Sequence, residues 1–238
     1  MSIVASLIKN IAGELVTKDR IGLPPTGGGG GAGLVIEGAT SDAEQSGQDT
    51  YTLPADIESG ELILVICSND DPNNPDSLSI TGYTKILEVG TSAVDVHLAA
   101  FYKIADGTET EVTITNGRAD TAVFMFRISG QAATPINAQA EGLTTGALTI
   151  SGVTTTVDNC LVFTAFAGDG GDTTPIAFTG TGWSKTGADL TTRGVVAGGC
   201  SLAYGTQVQA TAGTVPDSTG TPALSDGMTG LQIAIAPA

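Results

Sequence analysis

The sequence predicts an all-β protein: an antiparallel, jelly-roll-like β-sandwich made of two homologous halves, preceded by an N-terminal amphipathic helix and a glycine-rich linker. Three observations predict it. Beyond residue 34, β-branched and aromatic runs such as "ELILVIC", "VDVHLAAFYKI" and "TAVFMFRIS" are bounded by Gly, Asp, Asn and Pro. No further helical pattern follows the first segment. The segment "TGYTK" at 81–85 returns as "TGWSK" at 181–185, with its surroundings in the same order.

Residues 1–26 form the expected helical arm. Val4, Ile8, Ile11 and Leu15, widened by Ile3, Leu7, Ala12 and Val16, make one apolar stripe at helical spacing, and Ser2 caps its start. An isolated helix of about fifteen residues is marginal in water, so Val4, Leu7, Ile8, Ile11 and Leu15 are candidate partner-binding residues. The arm has no basic leader and places Lys9 inside its apolar stretch, which predicts neither a signal peptide nor a membrane span. Two prolines in "GLPPT" stop the helix, and the glycine tract at 27–33 is the linker.

Residues 34–238 are the sandwich. "LILVI" is apolar throughout and predicts a central strand covered on both faces, whereas "VDVHLAAFY" alternates and predicts one buried face. The halves, about 48–130 and 147–236, follow from collinear matches: Leu62 with Leu161, Asp70 with Asp169, Tyr102 with Tyr204 and Ile128 with Ile235. The matches drift apart along the chain as growing loops would make them. Between the copies, "GQAATPINAQAEGLTTG" reads as a short, partly extended linker.

The net charge of −16 lies wholly outside the arm, where Lys9, Lys18 and Arg20 outnumber Glu14 and Asp19. Such a body is expected to make a poor partner for nucleic acid or anionic membrane. Cys67, Cys160 and Cys200 are odd in number and sit in apolar runs, which predicts buried thiols rather than a disulfide framework or a zinc site.

Catalytic chemistry finds little support. His97 stands alone on a strand, sharing a face with Asp95 and Ala99, without a nucleophile elbow elsewhere. Glu109 and Glu111 share a strand face but adjoin a turn, so the chain is expected to be no enzyme. The oxygen-rich loop "SNDDPNNPDS" makes Asp70, Asp71 and Asp76 a candidate Ca²⁺ site, although Asx and Pro are also ordinary turn formers. Tyr83 and Trp183, each two residues before a lysine, are candidate glycan contacts or lids on the core.

The runs "TLPADIESGELILVI", "TGYTKI", "LAAFYKIADGTETEVTIT", "AVFMFRISGQAATPINAQ" and "GVTTTVDNCLVFTAFAG" resemble a duplicated β-sandwich module of tailed-bacteriophage virion proteins, of decoration, head-fibre or tail-fibre type. "SITGYT" and "TGTGWS" depart from that module's usual Pro-Ala-Gly-Trp turn. The resemblance implies a structural or attachment role in a virion, with other virion proteins as partners through residues 1–26, and it carries over no catalytic residue. A homo-oligomer made in the host cytoplasm is expected, with host-glycan binding as the alternative function.

Overall fold

The computed structural model describes residues 33–44, 50–70, 78–91, 94–115, 120–171, 176–192, 196–223 and 227–238. The expected helix, with Val4, Leu7, Ile8, Ile11 and Leu15, and nearly all of the glycine linker lie outside the described residues, as do Asp71 and Asp76. The described chain is all-β, and every strand pairing is antiparallel.

The first half runs β1 (Val35–Glu44), β2 (Thr50–Thr52), β3 (Leu62–Asp70), β4 (Ser79–Ile80), β5 (Thr84–Val89), β6 (Val96–Ile104), β7 (Glu111–Thr115) and β8 (Thr121–Ser129). The second repeats the series as β9 (Gln131–Thr145), β10 (Leu148–Ile150), β11 (Cys160–Gly171), β12 (Ala177–Thr179), β13 (Leu190–Thr191), β14 (Val196–Gln209), β15 (Ser218–Thr221) and β16 (Gly227–Pro237). Each half builds a five-stranded and a three-stranded sheet. The orders are β1-β8-β3-β6-β5 with β2-β7-β4, and β9-β16-β11-β14-β13 with β10-β15-β12, so the topology is the same strand for strand.

Alternation along the strands then dictates the layers. In β3, Leu62, Leu64 and Ile66 point to one cluster while Ile63, Val65 and Cys67 point to another, so the "LILVI" run is covered on both faces as its composition requires. The first cluster is shared with Leu161, Phe163 and Ala165 of β11 and with Leu231, Ile233 and Ile235 of β16. It fills the space between the two five-stranded sheets. The outer clusters lie between each five-stranded sheet and its own three-stranded sheet. The molecule is therefore a stack of four sheets in which each half is a sandwich of its own, and the halves are fused through one core. At about 1.5–3 kcal/mol per buried large apolar side chain, that central layer makes the halves one cooperative body.

Two expectations are corrected. β6 is buried on both faces, with Val96, Leu98 and Ala100 in the central cluster and Ala99 and Phe101 in the outer one, because a second sheet stands where solvent was expected. The "GQAATPINAQAEGLTTG" stretch is no linker but contains β9, a 15-residue edge strand paired along β16. An edge strand half exposed to water needs no run of large apolar residues to announce it.

The facing strands reveal how the halves are related. β1 lies against β13 and β5 against β9, β3 against β14 and β6 against β11, and β8 against β14 and β6 against β16, with β3 and β11 also in contact. Exchanging each strand for its counterpart maps these contacts onto one another. The halves thus stand about an approximate twofold axis that passes between β3 and β11.

Candidate functional site

The repeated motif forms two matching corners. In one, Tyr83 N–H donates to the Ile80 carbonyl at 3.2 Å with Gly82 at φ 81°. In the other, Trp183 N–H donates to the Gly180 carbonyl at 3.2 Å with Gly182 at φ 77°. A left-handed residue at the third position defines a type II turn, which is why glycine precedes the aromatic in both copies. Lys85 stands across from Phe101, and Lys185 across from Gly205.

Both lysines are tied down in the same way. Lys85 pairs with Glu88, whose other oxygen accepts the Leu78 N–H at 2.9 Å, and Lys185 pairs with Asp189 at 2.8 Å, whose other oxygen accepts the Ile176 N–H at 2.5 Å. Each carboxylate joins an ammonium to the backbone just before the strand that leads into the corner, β4 or β12. These acids are site residues that sequence reading missed, since their spacing from the lysine differs between the copies.

The two aromatics differ in burial, Trp183 being buried and Tyr83 half-buried. Trp183 is buried in the outer core of the second half, and its Nε1–H donates to the Pro216 carbonyl at 2.9 Å. Tyr83 packs on the outer core of the first half, and burial, reinforced by the nearby Glu109 charge, pushes its hydroxyl up to about 12. The expected glycan contact at Trp183 is thus corrected to a lid on its core, because an indole whose face is packed cannot stack on a sugar, while Tyr83 is half-buried against the matching core.

Glu109 and Glu111 do not form an acid pair. Glu109 folds back over its own turn, accepting the backbone N–H groups of Asp106 and Gly107 at 2.9 and 3.0 Å and the Lys103 ammonium at 2.7 Å. Burial raises its pKa, but the Lys103 bond and the backbone donors outweigh it and hold the carboxyl at about 2. Glu111 is exposed at the start of β7. His97 is buried rather than half exposed, packed against Gly90 with its Nε2 unpartnered, and Asp95 precedes β6 in a left-handed turn with φ 52° instead of sharing its face.

The end of the central layer holds the polar groups that sequence spacing did not bring together. Asp70 and Asp120 are buried there, the Asp70 N–H donating to the Asp120 carbonyl at 3.1 Å. The Cys200 thiol, from the other half, donates to that same carbonyl at 3.2 Å and accepts the Ser68 hydroxyl at 3.3 Å. Burial pushes this thiol up to about 12, with the Ser68 bond working the other way. All three cysteines are free and buried, as their apolar surroundings predict. Of the Ca²⁺ candidates only Asp70 is described, and among the described residues no group of three or more His, Cys, Asp and Glu side chains is arranged to hold a metal ion.

Every described cation is committed to a carboxylate: Lys85, Lys103, Arg127 and Lys185 pair with Glu88, Glu109, Glu61 and Asp189. Among the described residues, the charge left for a partner to meet is acidic. Among the described residues no helix is long and apolar enough to cross a membrane. No family model matches the chain, and neither does any curated protein or solved structure.

Proposed function

We propose that this is a non-enzymatic virion structural protein, held to a phage particle by residues 1–26 and displaying its β-body as a capsid decoration or a tail or fibre component. One observation carries the reading: among the described residues, Ile104, Leu143 and Val157 are the only exposed large hydrophobics. The described part of the body has therefore buried nearly all of its large apolar side chains internally. A stable contact with an assembly needs apolar burial, and the one unpaired apolar stripe legible in the chain is that of Val4, Leu7, Ile8, Ile11 and Leu15.

The strand order supports the same reading. β1-β8-β3-β6 facing β2-β7-β4 is a jelly-roll order in which β5 has joined the edge of β6, an architecture in use among viral capsid proteins. Two such units fused through a central core make a stiff, acidic body suited to facing solvent. The architecture alone assigns no function, so the division of labour is what must be tested.

A chain lacking residues 1–26 should keep its β circular dichroism and cooperative melt but no longer co-purify with particles. Incorporation at the full-length level without the arm would overturn the proposal.

A further inference from the structure

We infer that the two halves are an internal dimer, and that a second copy of this chain can take the place of either half through the same central face. Three observations carry this beyond the virion reading and independently of it. With β8 against β13 the one exception, the contacts between the five-stranded sheets map onto one another under exchange of the halves, as in an isologous dimer interface. The face is self-complementary, apolar and fully covered: Leu62, Leu64 and Ile66 of one half meet the layer of Leu161, Phe163 and Ala165 of the other. The halves are connected by one residue, Gly130, between β8 ending at Ser129 and β9 beginning at Gln131.

That connection is where the closed chain is constrained. Gly130 sits at φ 79°, a conformation that an L side chain disfavours and that proline, with φ locked near about −65°, cannot adopt. The crossing is held by hydrogen bonds on either side of it: Ala238 N–H donates to the Gly130 carbonyl at 2.9 Å, the Gln131 side-chain amide to the Gly60 carbonyl at 2.5 Å, and the Ser129 hydroxyl to Glu37 at 2.9 Å. If Gly130 is extended instead of reversed, β9 and all that follows must seek its central layer on another molecule. Two chains that exchange halves recover every contact of that layer and differ from the closed form only around Gly130. Short hinge loops are sites where such exchange arises.

The geometry also supplies its own reporter. The Ser68 hydroxyl of the first half lies 3.3 Å from the Cys200 sulfur of the second, so Ser68→Cys places two thiols face to face across the layer. Oxidised glutathione takes up the two electrons as the disulfide forms. In a closed chain the bond is internal; in exchanged chains it joins two molecules.

The test uses the full chain with Ser68→Cys, in the native hinge and with Gly130→Pro added, unfolded and reduced, then refolded with oxidised glutathione over a range of protein concentrations. With Gly130→Pro, light scattering should give twice the 23.8 kDa chain mass, and a non-reducing gel should show covalent pairs. With the native hinge, the covalent pairs should rise with concentration during refolding, as mass action demands. A bond that stays within one chain at every concentration in the native hinge would overturn the inference, whether or not the proline variant folds. So would a folded, monomeric Gly130→Pro chain.

Discussion

The two outer cores of this molecule share a topology yet solve the packing problem in opposite ways. Strand register fixes which residues correspond. Leu62 pairs with Ile128 and Leu161 with Ile235, which sets Val65 against Thr164 and Met125 against Gln232. The cross-strand hydroxyl pairs Thr50···Thr113 and Thr149···Thr219 coincide in the same way, which sets Val112 against Ser218 and Ile114 against Gly220. Where the first half places Val65, Val112 and Met125 in one continuous apolar cluster, the second places three polar residues that divide its core in two. Thr164 and Ser218 share a hydrogen bond of 2.7 Å, and Gln232 donates to Ser218 at 2.9 Å and accepts the Val153 N–H at 3.2 Å. The rims reverse the pattern. Arg127 and Glu61 form a part-buried ion pair at 3.0 Å in the first half, where Ala234 and Cys160 stand in the second. The two halves share their topology but not their distribution of polarity, which shows how little of the core's chemistry the strand order dictates.

Volume is exchanged as sharply as polarity. Phe166 in the second half corresponds to Cys67 in the first, and its ring lies between Gly220 and Gly230, whose counterparts are the bulky Ile114 and Val123. A Cβ on Gly220 would stand 2.5 Å from the Phe166 ring, and one on Gly230 would stand 2.7 Å from it. Introducing Gly220→Ile or Gly230→Val alone should therefore cost about 3 kcal/mol, at the upper end of overpacking. Phe166→Cys alone should cost a similar amount through the cavity it leaves. Made together, the three changes copy the first half and should restore most of the loss in urea unfolding. A combined loss equal to the sum of the single losses would mean that these sites do not trade volume.

The polar core gives the next largest effect. Gln232→Met by itself leaves the Val153 N–H without its acceptor and the Ser218 hydroxyl without its amide donor, and should cost about 2 kcal/mol. Thr164→Val, Ser218→Val and Gln232→Met together remove the network's side-chain members at once but still leave that one backbone donor. The first half shows how it disposes of it: Pro54, with no N–H, occupies the place of Val153, the chain between β2 and β3 being as long as that between β10 and β11. Adding Val153→Pro to the triple variant should bring its unfolding midpoint back near that of the native chain. If the quadruple variant is no better than Gln232→Met, the network stabilises the second half in its own right rather than merely satisfying itself.

These contrasts explain what the sequence could and could not reveal. The apolar runs of β3 and β8, the paired turns at Gly82 and Gly182, and the match of Ile128 with Ile235 were legible because each is local or fixed by pairing with β3 and β11. The match of Tyr102 with Tyr204 was misleading. Leu62 pairs with Ile104 and Leu161 with Val208, so Tyr204 stands where Ala100 does, on the same face but two residues away. A shared residue type prevailed over register, which no single sequence displays. β9 stayed hidden because edge strands need little apolar content, and β1 and β9 hold matching places that the repeat alignment did not reach. The polar core of the second half escaped notice because Thr, Ser and Gln in strands ordinarily face water. The carboxylates Glu88 and Asp189 were equally invisible, being defined by the backbone N–H groups they reach.

The smallest difference between the halves is one of charge, and it titrates. Ile63 pairs with Lys103 and Val162 with Gln207, so the ammonium that holds Glu109 in the first half has an uncharged counterpart in the second. Glu109 has its pKa lowered from 4.5 to about 2 on folding. A carboxyl lowered in this way binds fewer protons folded than unfolded, so its contribution is complete above 4.5 and is lost as pH falls from there toward 2. Glu109→Gln should lower neutral-pH stability by about 1 kcal/mol or less, as is usual for pairs near the surface. It should also remove part of the slope of stability against pH between 4.5 and 2, measured by urea unfolding across that range. Lys103→Gln, which copies the second half, should flatten the same window less, because the Asp106 and Gly107 backbone donors remain to hold the carboxylate. An acid limb unchanged in both variants would place the acid sensitivity of the molecule in other carboxylates.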